Sequence, residues 1–463
     1  GDGREVVLPG DDIADLDARL HGRVLLRDDS GYDDARRILN PTANRHPALI
    51  AQVTGAADVG LAVDFAREHD GLLLAVKCGG HSASGKSTCD RGMMIDLSPF
   101  RSVHVAPEAR RARVTGGSLL AHVDHETMAH GLVTPMGTVS HTGVGGLVTG
   151  GGFGRLARRY GLSIDNLVSV DVVSADGRLR HADEDENPDL FWGVRGGSGN
   201  FGVVTSFEFR LHPMQREVVG GTLVFPLSDA REVLNVYAEY GPEAPDELQI
   251  DSFVGIRRGG EEGAAGFSVC WSGPASEAER ALAPLRQVGT PVADEVQSMD
   301  YVALQRSGDF DDPRAQASYL KSGFIAELPS ELISAIVDRL EGDPRRTTQL
   351  FFQQSGGAIS RVPGTATAFS QRNAIANMLS SVDWEYGWEY GDDPAAHVRW
   401  LREYWSELEP YTQGFYVNDA AADATAADYR RTYRENHERL VQVKNRYDPD
   451  NLFRLNANVE PTV

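Results

Sequence analysis

Residues 78–85 read Cys78-Gly79-Gly80-His81-Ser82-Ala83-Ser84-Gly85, which sets an imidazole between glycines. A histidine there can serve as nucleophile, base or ligand. Gly80-His81-Ser82 approaches a nucleophile elbow, but position 84 is Ser where GxSxG requires Gly, which argues against an α/β-hydrolase. A second segment, Gly143 to Gly154, holds seven glycines. So many bare positions mean that backbone approaches something closely or turns repeatedly, and successive free N–H groups suit a pyrophosphate. No Lys follows in GK[ST] form, so the segment is not an ATP P-loop. The third segment, Gly197-Ser198-Gly199-Asn200-Phe201-Gly202, spells GxGxxG. It opens an alternating strand, whereas a dinucleotide fingerprint opens a helix, so the Rossmann reading fails. His122, His125 and His130 lack HExxH spacing and read as a solvated helix face; no metal site is expected.

The elements that position these segments follow from periodicity. Apolar residues at 61, 62, 65 and 66 predict a helix over 58–69, with Asp58 as its cap. Leu72 to Val76 reads as a buried strand running into the histidine loop. Residues 166–182 alternate around an Asp176-Gly177 hairpin turn. Val203 to Leu211 alternates strictly until His212-Pro213 ends the strand, and the chain changes character near 214. Beyond it, helices over 276–283 and 330–340 mix with a strand over 348–352. Tyr429, Tyr433, Leu440, Val443 and Tyr447 recur at helical spacing and stop at Asp448-Pro449-Asp450-Asn451.

The motifs, taken in order, resemble the vanillyl-alcohol-oxidase (p-cresol-methylhydroxylase-type) flavoproteins. The matching stretches are Val76 to Ser82 with Met94-Ile95-Asp96-Leu97-Ser98, Gly143 to Gly154 with Tyr160 to Asn166, and Asp189 to Thr205. Tyr416-Val417-Asn418 and Tyr447 to Asn456 are similar to the C-terminal signature of the berberine-bridge-enzyme-like branch. The resemblance implies an α+β, two-domain fold. An FAD domain comes from both chain ends (1–213 and 411–463), and residues 214–410 form an α/β substrate domain with an antiparallel sheet.

It also implies a cofactor, FAD, bonded through its 8α-carbon to His81. Gly79, Gly80, Ser82, Thr138, Thr142, Gly143, Gly145, Gly146, Gly152, Gly154, Gly202, Val204, Tyr416, Asn418 and Asn456 are its expected neighbours. Many relatives add a second bond from a Cys in G-x-C-P-x-V-G-V-G-G; here Val139 occupies that place, so a single link is expected. The Val139-Ser140-His141-Thr142 version is more similar to bacterial secondary-metabolism members than to plant ones. The implied activity is an oxidase: hydride passes from a small-molecule alcohol, amine or phenol to the flavin, and electrons then pass to O2. A flavin-dependent oxygenase or cyclase of a secondary-metabolite pathway is the alternative, and a non-enzymatic binding module a third. For the base or substrate orienter the expectation is Tyr416, with Asp251 and Gln353 behind it; a phenol needs a lowered pKa or concerted transfer to take a proton.

Composition limits the partners. Of 463 residues 41% are apolar and 24% charged, which is ordinary globular material. A formal charge of -22 argues against nucleic-acid binding, which draws on clustered Lys and Arg. No run approaches the length of a membrane span, and three cysteines are too few and odd for a disulfide framework, so a cytoplasmic protein is expected.

Overall fold

The computed structural model describes residues 6–256, 263–309, 316–342, 348–385 and 393–463. The first half holds two small sheets. In one, Leu49–Gln52, Met93–Asp96 and Leu74–Lys77 pair in parallel, with Arg23–Leu25 antiparallel at the edge. Strands buried on both faces read as continuous apolar runs, which is why these sequences do not alternate. Leu49, Ala51, Met93, Ile95 and Leu74 face one core, while Ile50, Met94 and Ala75 face another. The helix Ala56–Glu68 covers the first of these faces. Its cap is Gly55; Asp58 instead accepts the N–H groups of His21, Gly22 and Thr54 and the Thr54 hydroxyl, tying this helix to the preceding turn.

The second sheet is antiparallel, ordered Val103–Ala106, Arg111–Thr115, Val203–Arg210, Leu167–Val173 and Leu179–Ala182. The turn expected at Asp176-Gly177 joins its last two strands, with Gly177 at φ +75. After His212–Pro213 the chain crosses into an eight-stranded antiparallel sheet that starts at Glu217–Pro226 and ends at Ala376–Glu385. Ala230–Glu243, Ser330–Gly342 and Pro394–Leu408 contribute helices to the core of that sheet. On the strand Thr348–Gln354, Leu350 and Phe352 enter this core, and alternation turns Gln353 the other way, toward the first half.

The chain then returns. Tyr429, Tyr433, Leu440, Val443 and Tyr447 pack into the core built by the second sheet. They lie on two helices, Ala426–Tyr433 and His437–Tyr447, because the chain takes a 3-10 turn at Arg434–Asn436 with Arg434 at φ +53. The segment expected as one helix over 276–283 is likewise a 3-10 turn, Ala275–Glu277, followed by the short helix Ala278–Leu282.

Candidate active site

The parallel strand Leu74–Lys77 ends by delivering its chain to the 78–85 loop, at the carboxyl end of the sheet where open α/β sheets take ligands. Gly79 and Gly143 lie so close that a Cβ on either would run into the other's backbone nitrogen. Gly80 (φ +74) then turns His81 into a cleft of about 380 Å³. The cleft lies between the two loops, the 198–204 strand entry, Gln353 and the C-terminal residues 416–420 and 453–457.

His81 Nε2 lies 2.7 Å from His141 Nδ1, and its Nδ1 lies 3.3 Å from Thr142 Oγ1. Burial, and then the neighbouring His141, push its pKa down to about 4, against a weaker pull from Asp309. The imidazole is therefore neutral at physiological pH and keeps a lone pair for bonding to carbon. Ser140 anchors the adjoining turn to the large-sheet half: its N–H and hydroxyl both donate to Asp309, at 2.7 and 2.5 Å. Ser82 Oγ accepts the Lys86 N–H at 3.0 Å, holding the histidine loop closed on itself.

Tyr416 is 3% exposed, and its hydroxyl accepts from the Gly152 N–H at 2.8 Å and from Asn418 Nδ2 at 2.7 Å. Asn418 also donates to the Leu147 carbonyl, and a Cβ at Gly150 would fill the place of its amide. Burial raises the Tyr416 phenol well above its ordinary value. With two donors on its oxygen, this phenol is suited to giving a hydrogen bond rather than to taking a proton.

Gly79, Gly80, His81, Ser82, Thr138, Thr142, Gly143, Gly145, Gly146, Gly202, Val204, Gln353, Tyr416, Asn418 and Asn456 all line the cleft. Three expected residues do not. A Cβ on Gly154 would run into the Met136 carbonyl, and one on Gly152 (φ +89) into the Ser163 side chain, so both glycines permit close packing behind the cleft. Asp251 is buried between strands, accepting from the Gln354 N–H and Gln249 Nε2 at 2.9 Å each. It pins the sheet and does not reach the cleft. Among the cleft residues that the sequence does not single out are Ser87, Lys86 and Asp419. Lys86 donates to the Tyr429 hydroxyl at 2.7 Å and to the Asn456 carbonyl at 2.8 Å, and burial lowers its pKa to about 8. Asp419 accepts from Asn377 Nδ2 at 2.8 Å.

The family model described as FAD binding domain matches residues 47–183, and that described as berberine and berberine like matches 415–460. An uncharacterized FAD-linked oxidoreductase of Bacillus subtilis, YgaK, is 31% identical over 96% of this chain and 98% of its own. The chain is an FAD-linked oxidoreductase of the berberine-like family. The oxidoreductase is also 30% identical to (R)-6-hydroxynicotine oxidase of Paenarthrobacter nicotinovorans, over 96% of this chain and 97% of that one. The crystal structure of 6-hydroxy-D-nicotine oxidase from Arthrobacter nicotinovorans superposes with a TM-score of 0.86 at 30% identity, covering 96% and 98% of the two chains. The expected α+β fold with an antiparallel sheet is that of these enzymes.

The residues present fit the flavin. Gly146 has nothing within 4 Å of where a Cβ would stand, and Ser87 Oγ and Asn456 Oδ1 are buried in the cleft lining without a partner among the described residues. Among those residues no helix is long and apolar enough to cross a membrane.

Proposed function

We propose that this oxidoreductase oxidises a small-molecule alcohol or amine, passes the electrons to O2, and holds its FAD through one covalent bond at His81. The observation that carries the reading is a neutral, buried imidazole opening on a glycine-walled cleft in a chain of this family. FAD, when bound, supplies the two-electron acceptor; the chain's residues bind, orient and exclude water. Gly145, Gly146, Ser87 and Asn456 are the groups we assign to holding it, with residues 1–213 and 411–463 as the cofactor unit and 214–410 as the substrate unit. His141 occupies His81 Nε2 at 2.7 Å, so His81 Nδ1 is the nitrogen we assign to the link. A second link is not expected. Val139 has no sulfur, and Cys78, the cleft's cysteine, has its thiol pushed up to about 11 by burial and so stays protonated. We assign Tyr416 to orienting the substrate by its phenolic O–H. Three free thiols agree with a cytoplasmic location.

The test is acid precipitation of the purified protein. Wild type should carry its yellow colour into the pellet, while His81→Ala should release free FAD into the supernatant. All of the wild-type flavin in the supernatant would refute the tether. Reduced enzyme mixed with air should reoxidise quickly and release one H2O2 per flavin. Oxygen consumed without peroxide would favour the oxygenase alternative.

A further inference from the structure

The cleft contains one carboxylate that the reading above leaves without work. Asp419 lies on the short turn Val417–Asp419, open to the cleft, three residues after Tyr416. Its Oδ2 accepts from Asn377 Nδ2, and the same amide group donates to Gln353 Oε1, both at 2.8 Å. Gln353 itself lines the cleft. Asn377 is fully buried, and its Oδ1 has no partner among the described residues, so this side chain is fixed by the two groups it holds. A carboxylate aimed into a cleft and steadied from behind by an amide is suited to taking a proton, whereas the Tyr416 oxygen already accepts two hydrogen bonds.

We propose that Asp419 is the proton acceptor of the reaction, and that it fits the cleft to a neutral alcohol or an amine rather than to an anionic donor. The assignment rests on the flavin reading of the preceding section. The substrate's O–H or N–H proton passes to an Asp419 carboxylate oxygen. The adjacent C–H bond would break, its hydrogen going with the electron pair as hydride to the two-electron acceptor that bound FAD supplies, and a C=O or C=N bond would form in the product. The carboxyl proton is then returned to solvent, and O2 removes the electron pair as H2O2. A substrate carboxylate beside Asp419 would meet a like charge in a partly desolvated site, which is costly.

Burial raises the Asp419 carboxyl to about 6, so it is ionised at neutral pH and still a usable base. Lys86, also in the cleft lining, is lowered by burial to about 8 and stays largely charged over most of the range from pH 5 to 8. His81, pushed down to about 4, and Tyr416, pushed well up, keep one charge state between pH 5 and 8. Lys321, on the neighbouring strand Gln316–Ile325, pairs with Asp423, and the helix Val144–Gly150 brings no titratable side chain. His141 stands behind His81.

Sulfite tests the assignment without a known substrate, because it adds to oxidised flavin at the reacting position, bleaches it, and is repelled by a nearby negative charge. Holoenzyme and its Asp419→Asn variant are titrated with sulfite between pH 5 and 8. The ratio of wild-type to variant Kd should be near one at pH 5 and rise by about tenfold or more at pH 8, the effect of one close unit charge. Sulfite's own protonation and the partial titration of Lys86 cancel in that ratio. A ratio that stays flat in yellow enzyme overturns Asp419 and leaves the flavin reading standing. A colourless protein that sulfite does not bleach overturns the flavin reading and this assignment with it. If Asp419→Asn fails to fold or to hold flavin, the wild-type profile, corrected for sulfite protonation, must retain a step near pH 6, well below the range in which Lys86 titrates. Its absence overturns the assignment.

Discussion

Replacing Lys444 with methionine probes what joins the two ends of the chain. Lys444 is fully buried, and its ammonium donates to the Asp448 carboxylate at 2.6 Å and to the carbonyls of Asn200 and Phe453 at 2.9 and 3.0 Å. Burial lowers its pKa, against the opposing pull of Asp448. Methionine keeps most of the volume, so little cavity forms and the cost is electrostatic. Asp448 would keep the N–H groups of Leu452 and Phe453, at 2.7 and 2.9 Å, but lose its counter-charge. The Phe453 carbonyl would keep the Asn456 amide, while the Asn200 carbonyl would lose the ammonium. Removing one partner of a buried pair costs about 3–5 kcal/mol, and the two donors left on Asp448 place the expected loss near 3. Urea unfolding at pH 8 should show it. A loss below about 1 kcal/mol is what a solvent-exposed pair would give, and it would refute this reasoning.

Gly146→Val and Gly152→Val should separate binding from folding. The first extends a side chain into open cleft, so the protein should fold yet purify with little FAD; the second, at φ +89 against Ser163, should melt well below wild type. Stoichiometric flavin in Gly146→Val would remove that position from the cofactor cradle. Tyr416→Phe orphans the Gly152 N–H and an Asn418 donor, and should cost about 1–3 kcal/mol in urea unfolding; unchanged stability would mean that these donors find other acceptors. At Asp58, burial works to raise the carboxyl pKa, but hydrogen bonds from Thr54, His21 and Gly22 win and hold it below the ordinary value. Its contribution is therefore present above the unfolded value of about 3.9 and lost as pH falls through the lower folded one. The stability gap between wild type and Asp58→Asn should narrow between pH 5 and pH 3, and a constant gap would contradict the linkage.

Much of the cleft was legible because glycine leaves a mark that does not depend on distant partners. Gly79, Gly80, Gly143 and Gly202 stand where a Cβ would strike backbone or where φ is positive, and each fell inside a motif. The same mark misplaced Gly152 and Gly154, since close chain packing and close ligand approach require the same bare residue. The strand over 203–211 was read from period two, that over 72–76 from its apolar run, and the hairpin at Asp176-Gly177 from its turn. What stayed hidden depends on partners far along the chain. Asp419 gains its setting from Asn377, and Asp251 loses a catalytic one to Gln249 and Gln354. Asp58 looked like a cap because its helix begins nearby, yet the donors it serves include His21 and Gly22 on an earlier turn.

The Lys86 ammonium and the Asn456 carbonyl are 370 residues apart in sequence, and the Val459 N–H closes on Asn200 Oδ1 at 2.9 Å. During synthesis, the histidine loop and both glycine segments emerge long before the residues that complete the other wall. A nascent chain with the ribosome still short of residue 456 displays half a binding surface. Flavin loading is thus a late event, and a chain terminated early in the large sheet would lack this wall and hold little FAD.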